Sequence, residues 1–341
     1  MILSQRIATE LLPFIARNVK SKSNVIIACS GGADSTALSI IMSKIVHEYP
    51  LNIKLIYINH NIRDEEIINK EKTYVSNLAS LLNFDYSFSD IKRNEFNTIH
   101  KGSIENTLRV LRYDKLTINA QKFSSNVILT GHTATDNAET ILFNIVRGTG
   151  LKGIEGINKK LIKKTDSKNM QILRPLLGIQ RITTENICSE NNIVPMTDSS
   201  NKDLRFTRNR IRNKIIPELN KINPKTIDAI NKLSGIVKNN NKSNQEYIDH
   251  FFCKLISKKG LSTTINDLIV FRILPDSIRS ELIRRIMSNK SVKKQFSMEH
   301  IRKIDKLLCS YGNKHYDLPD GYKFTKEYNI ARFEKKINIK I

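Results

Sequence analysis

In Asn24-Val25-Ile26-Ile27-Ala28-Cys29 an unbroken apolar run follows Asn24 and stops at Ser30-Gly31-Gly32-Ala33-Asp34-Ser35, and residues 36–47 then carry apolar side chains at helical spacing. A short apolar run bounded by glycines reads as a strand buried on both faces, here feeding a helix. Two glycines let the backbone turn tightly and bring its N–H groups close to a phosphate. The helix start adds unsatisfied N–H donors and a positive dipole end. Ser30 and Ser35 supply hydroxyls, and Asp34 is placed to hold a magnesium ion carried by phosphates. The stretch is neither GxxxxGK[ST] nor GxGxxG. Read alone, it is also compatible with an ordinary βα turn whose Ser and Asp cap the helix.

Outward from this turn, strands alternate with helices. A helix is expected over residues 4–18, strands over 53–59, 86–90 and 126–130, and helices over 64–82, 104–121 and 136–147. Such alternation predicts βαβ units and a doubly wound, mainly parallel sheet. Gly148, Gly150, Gly153 and Gly156 then mark a loop expected to run through the basic stretch 159–168, before a strand at 172–173 and a helix over 183–191. The alternation stops near residue 206. A basic helix to 219, a helix over 226–238, a mainly helical stretch over 248–308 and one or two terminal β-hairpins are expected beyond it. The domain boundary is placed at 217, giving a catalytic domain over 1–217 and a mainly helical, basic domain over 218–341.

The chain has 341 residues and a formal net charge of +23. Residues 1–150 hold 17 basic and 14 acidic side chains, whereas 151–341 hold 39 and 19. That asymmetry predicts a near-neutral chemical domain followed by a surface for a polyanion. Four cysteines, Cys29, Cys188, Cys253 and Cys309, form no CxxC pair, which argues against a disulfide framework or a locally built zinc or iron–sulfur site. No apolar run approaches the ~20 residues that span a bilayer. No signal-peptide pattern is seen at the start, so a soluble protein of a reducing compartment is expected.

Ser30–Ser35 resembles the signature of the N-type ATP pyrophosphatases, the PP-loop enzymes with an adenine nucleotide alpha-hydrolase-like, Rossmann-like fold. Further segments resemble the tRNA(Ile)-lysidine synthetase family within them. Ile58-Asn59-His60-Asn61-Ile62-Arg63 is similar to that family's V-D-H-G-L-R, and Leu108-Arg109-Val110-Leu111-Arg112-Tyr113 to its A-R-x-x-R-Y helix. Gly131-His132-Thr133-Ala134-Thr135-Asp136-Asn137-Ala138-Glu139-Thr140, with Arg147-Gly148-Thr149-Gly150-Leu151, resembles H-x-x-D-D-x-A-E-T…R-G-S-G-L. Asp198-Ser199-Ser200-Asn201, Arg208-Asn209-Arg210-Ile211-Arg212 and Pro217 resemble D-x-S-N…R-N-x-I-R…P. Asn59 stands where the family has Asp, and Thr135 replaces the first of two adjacent Asp. The chain is shorter than the longest members, so one C-terminal domain is expected.

The resemblance implies a tRNA-modifying ligase. It would adenylate C2 of the wobble cytidine in a CAU-anticodon isoleucine tRNA with ATP and join free L-lysine there, releasing AMP and pyrophosphate. Ser30, Gly31, Gly32, Ala33, Asp34 and Ser35 would bind ATP. Asp34, Asp136 and Glu139 are the expected catalytic residues, with Asp34 and Asp136 also assigned to magnesium. Asp136 and Glu139, three apart at a helix start, share a face; favourable interaction with the helix dipole is their simpler reading. Arg109, Arg112, Arg205, Arg208 and Arg212 are the candidate tRNA contacts, because a planar guanidinium grips phosphate. His60, Arg63, His132 and Arg147 are further candidates. A cytidine thiolase of the same superfamily would want a CxxC site, and a non-catalytic basic RNA-binding protein would not need Asp136. Bacterial cytoplasm or plastid stroma is the expected location, no membrane partner is expected, and a homodimer is left open.

Overall fold

The computed structural model describes residues 2–61, 64–92, 95, 104–165, 169–197, 204, 206–260, 262–288 and 296–335. Arg63, Arg205 and the Asp198–Asn201 motif lie outside the described residues. Chain contacts divide into two units, Met1–Val237 and Lys238–Ile341.

The first unit runs α1 (Leu3–Asn18), β1 (Asn24–Ala28), α2 (Ala33–Glu48), β2 (Asn52–Asn59), α3 (Glu65–Leu81), β3 (Asp85–Asp90), α4 (Ile104–Lys122), β4 (Val127–Thr130) and α5 (Ala134–Val146). It continues with α6 (Leu151–Ile154), β5 (Lys160–Lys163), β6 (Met170–Leu173), α7 (Arg181–Glu190), α8 (Thr207–Arg210), a π-helical turn at Ile211–Ile215, α9 (Ile216–Ile222) and the start of α10 (Thr226–Leu255). The sheet order is β3-β2-β1-β4-β6-β5. All neighbours pair in parallel except β5, which runs antiparallel to β6. The doubly wound expectation is therefore met. The basic stretch read as a loop instead contributes an edge strand, and two residues of β5, Leu161 and Ile162, stay exposed. Edge strands tolerate such lysine-flanked sequences because only one side is paired.

β1 is buried from both sides, and its side chains alternate cleanly. Val25 and Ile27 enter one core with α1, α2 and α7, whereas Ile26 and Ala28 enter another with Ile58, Leu116, Ile128 and Ile172. Sheet order reverses at β1, between β2 and β4, and ligands of doubly wound sheets bind outside the carboxyl ends of strands at that point. Pairing of Ala28 with Thr130 sets the loop after β1 beside the loop after β4.

The unit division falls inside α10, beyond the break at 217 that composition suggests. Ile227 and the partly buried Ile230 share a core with Ala134, Ala138, Ile211 and Ile216, which ties the start of α10 to α5. The Asn-Lys stretch after 238 is helical as well, since α10 runs to Leu255.

The second unit holds β7 (Ile256–Lys259), β8 (Ser262–Ile265), α11 (Leu268–Ile273), α12 (Asp276–Met287), α13 (Met298–Cys309), β9 (Lys314–Asp317), β10 (Tyr322–Glu327) and β11 (Ile330–Lys335). Its sheet has the antiparallel order β7-β8-β11-β10-β9. Helices are present as expected, but the terminal hairpins belong to a five-stranded sheet. The β7–β8 hairpin was not legible because its strands are only four residues long and β7 ends in two lysines; Gly260, at φ +59°, follows β7 directly. Phe271, Leu282, Ile304, Phe324 and Phe333 fill this core. No helix among the described residues is long and apolar enough to cross a membrane.

Candidate active site

The loop after β1 is built from the serines and glycines that the sequence singles out. Ser35 Oγ donates to the Gly32 carbonyl at 3.0 Å and accepts from the Ser30 N–H at 3.2 Å. Gly31 has φ +82°, and a Cβ there would lie 3.2 Å from both Met196 and Tyr74. Left-handed backbone and crowding together require glycine. The end of β4 presses on the same loop: a Cβ at Gly131 would lie 2.9 Å from the Asp34 carbonyl. Asp34 itself stands in the first turn of α2, where the helix dipole favours an acid.

Asp136 likewise stands in the first turn of α5. Thr133 caps this helix in a capping box, with its N–H and hydroxyl donating to Asp136 Oδ2 at 2.8 and 2.9 Å. Asn137 fixes the helix further, donating to Asn231 Oδ1 and accepting from the Ile157 N–H. Glu139 follows three residues after Asp136 and is 3% exposed.

Two arginines knit these acids into one row. Arg181, at the start of α7, donates to Asp34 Oδ2 at 2.7 Å through Nη2 and 3.1 Å through Nε, and to Asp136 Oδ1 at 3.2 Å. Arg212, in the π-helical turn, donates to Asp136 Oδ1 at 3.1 Å and grips Glu139 through both oxygens at 2.6 and 2.8 Å. Thr184 donates to Asp34 Oδ1 at 2.6 Å. Burial pushes the Asp34 carboxyl up, Arg181 pulls it down, and Asp136 adds to the rise. Burial likewise pushes Glu139 up, against the pull of Arg212. Burial opposes the Arg181 charge, but Asp34 and Asp136 prevail and raise its pKa.

A second wall carries cations. Arg174, directly after β6, is 2% exposed; it donates to the Asn158 carbonyl at 2.6 Å and the Tyr113 hydroxyl at 3.2 Å, and its Nε has no hydrogen-bond partner. Arg109 stacks on Tyr113 at 6.0 Å. His132 Nδ1 is bonded to Thr130 Oγ1 at 2.9 Å. Burial first, and Arg174 next, push the imidazole down to about 3, so it is neutral near pH 7. A cavity of about 850 Å³ opens over the Ser30–Ser35 loop, with Arg112, Arg181 and Arg212 at its polar side and Tyr57, Ile58 and Met196 in its lining.

Of the sequence candidates, Asp34, Asp136 and Glu139 are brought together, and Arg212 joins them as their partner. Arg112 and His60 line the cavity. Arg147 and Arg208 flank the Phe143 ring at 5.2 and 5.6 Å. Reasoning from sequence missed Arg181, Thr184 and Arg174. An arginine ending an apolar strand and an Arg-x-x-Thr pair opening a helix were the available signals. Both departures from the family pattern have local partners. Asn59 donates to Asp90 Oδ1 at 2.8 Å, where a carboxylate would face another carboxylate; Thr135 Oγ1 accepts from the Arg181 N–H at 3.1 Å.

Among the described residues no group of three or more His, Cys, Asp or Glu is set to hold a metal alone. Asp34 and Asp136 fit a magnesium ion whose remaining ligands are phosphate oxygens and water, since such ions take one or two carboxylates.

Comparison with known proteins places this geometry. Residues 3–219 match the model of a PP-loop domain. A tRNA(Ile)-lysidine synthase of Borrelia garinii subsp. bavariensis is 31% identical over 356 residues, covering 99% of this chain and 72% of that protein. Those of Dehalococcoides mccartyi and Thermosipho africanus are 28% and 34% identical, over 91% and 60% of this chain. The chain spans 66% and 46% of the length of these last two relatives. Among solved structures, the U34-tRNA thiolase NcsA from Methanococcus maripaludis superposes with a TM-score of 0.56 at 14% identity, over 69% of this chain and 78% of that one, which shows a shared fold. On the match of its PP-loop domain and the extent of likeness to the Borrelia protein, the chain belongs to the tRNA(Ile)-lysidine synthase family of PP-loop proteins.

Proposed function

We propose that this chain uses ATP to activate C2 of the wobble cytidine of a CAU-anticodon isoleucine tRNA and replaces the C2 oxygen with the ε-amine of free lysine. The observation that carries the reading is the position of Asp136 and Glu139 across from the Ser30–Ser35 loop, at adjoining carboxyl ends of β1 and β4. A poor leaving group and a protonated nucleophile are the two chemical obstacles. In the first step the cytidine O2 forms a bond to the α-phosphorus of ATP and pyrophosphate leaves; N–H groups of the loop and the start of α2 stabilise its charge. Magnesium bound by Asp34 and Asp136 would neutralise phosphate charge in that step.

In the second step the lysine nitrogen attacks C2 and AMP departs with the former C2 oxygen. Free lysine has a pKa of about 10.4, so its ε-amine arrives as an ammonium ion. Asp136 and Glu139 offer carboxylate oxygens to such a cation. Asp136 receives the proton, while Arg212 orients Glu139 and Asp136. His132, neutral and bonded to Thr130, serves as a hydrogen-bonding wall for the base rather than as a proton acceptor. Arg109, Arg112, Arg147 and Arg208, with the basic second unit, supply phosphate contacts for tRNA.

Pyrophosphate exchange tests the activation half alone. The chain, ATP and a CAU-anticodon isoleucine tRNA should exchange labelled pyrophosphate into ATP without lysine. Exchange that ignores the tRNA would overturn this reading.

A further inference from the structure

Arg181 and Thr184 lie one turn apart at the start of α7, and both are bonded to Asp34. The same Arg181 Nη2 reaches Asp136, so a single nitrogen touches both carboxylates, at 2.7 and 3.2 Å. Neighbouring carboxylates disfavour each other's charge unless a cation stands between them. These are also the two carboxylates assigned above to magnesium. A guanidinium and a metal ion cannot share the gap between Asp34 Oδ2 and Asp136 Oδ1.

The other anchors do not depend on Arg181. Asp34 Oδ1 is held by the Thr184 hydroxyl, and Asp136 Oδ2 by the Thr133 N–H and hydroxyl. Both carboxylates are thus fixed on their outer oxygens by neutral donors, while the inner pair is bridged by the long side chain of Arg181, with Arg212 a second donor to Asp136 Oδ1. The Arg181 side chain is 26% exposed and lines the same cavity as the Ser30–Ser35 loop.

We propose that Arg181 is an exchangeable counter-ion: without nucleotide it fills the gap between Asp34 and Asp136, and when metal-bound ATP enters it gives up that gap and takes phosphate oxygens. The proposal rests on the magnesium reading above. Its consequence is selectivity. Free metal must displace a paired cation and gains nothing for it, whereas the metal–nucleotide complex brings the phosphate that Arg181 takes in return. Metal and nucleotide therefore bind cooperatively, with Arg181 as the coupling element.

The test is manganese binding to the full chain, read by electron paramagnetic resonance, with and without a non-hydrolysable ATP analogue. Wild type should bind Mn²⁺ weakly alone and more tightly with the analogue. Arg181→Gln should bind Mn²⁺ alone at least about tenfold more tightly than wild type, since an opposing charge has gone, and should lose most of the tightening by the analogue. A purely structural role would not strengthen metal binding. Arg181→Lys keeps the charge but loses the second bond to Asp34 that Nε makes, so it should shift in the same direction by less; it serves where the glutamine variant does not fold. Unchanged or weaker Mn²⁺ binding in the Arg181 variants overturns the exchange. Asp34→Asn separates the two readings. If it leaves the analogue-dependent tightening intact, the magnesium assignment fails and this proposal with it; if it abolishes tightening while the Arg181 variants behave as wild type, only the exchange fails.

Discussion

Two walls of the same cleft handle charge in opposite ways. On one, Asp34, Arg181, Asp136, Arg212 and Glu139 alternate in sign, and each is bonded to the next. On the other, Arg174 is buried against a carbonyl and a phenol, Arg112 lines the cavity, and among the described residues neither has a carboxylate partner. The first wall draws its members from α2, α5, α7 and the π-helical turn, so its pairs also hold the first unit together. Arg174 is 2% exposed, and burying a guanidinium without a carboxylate beside it is costly. One wall is neutralised from within, and the other is not.

The largest effect should come from the self-neutralised wall. Asp136→Asn keeps shape and loses charge, so single-turnover lysidine formation should fall at least about 100-fold, with tRNA affinity in filter binding changed less than about threefold. Equal losses in both would erase the distinction between the walls.

Next in size is stability. Arg212→Ala strands the buried Glu139 carboxylate, and removing one partner of a buried pair costs about 3 kcal/mol. Partial exposure of Arg212 at 23% reduces this to about 2 kcal/mol. Its melting temperature should fall while the salt dependence of tRNA binding stays put, and adding Glu139→Gln should restore part of the loss. Arg208→Ala should behave the other way, flattening the salt dependence by about one contact with little change in melting. A flattened salt slope in the Arg212 variant would move that residue to the tRNA-binding wall.

A pH effect follows from His132. Its folded pKa of about 3 lies below the ordinary 6.5, so its contribution to stability is complete above pH 6.5 and is lost as pH falls toward 3. Asp34 and Glu139, raised by burial, contribute with the opposite sign, favouring the folded state at low pH. Wild type should therefore lose melting temperature on acidification faster than His132→Gln. Parallel curves would mean that the imidazole is not held neutral by burial and Arg174.

The smallest effect should be on the second wall's own stability. Removing the guanidinium in Arg112→Ala, which has no carboxylate partner among the described residues, should move stability by no more than about 1 kcal/mol, yet weaken tRNA binding several-fold. A large drop in melting temperature there would show that Arg112 is a strut.

Much of this contrast was legible in the chain. The loop after β1 announced itself because glycine and serine chemistry is local, and Asp136 and Glu139 because they open a helix behind a strand. The partners were less visible. Arg181 lies far along the chain from Asp34, and only the packing of α7 on α2 joins them. Arg212 read as a phosphate ligand because sequence shows its charge and not the carboxylates it faces. Charge also misled about organisation: residues 1–237 hold 34 basic and 22 acidic side chains and residues 238–341 hold 22 and 11, so both units are basic and the asymmetry does not mark their border.

Nucleoside analysis by mass spectrometry tests the central claim most directly. A CAU-anticodon isoleucine tRNA incubated with the protein, ATP, magnesium and lysine should lose its wobble cytidine and gain lysidine, with AMP and pyrophosphate formed in equal amount; Asp136→Asn should leave the cytidine unmodified. Unaltered cytidine with wild-type protein, or a modified base that contains no lysine, would contradict the account.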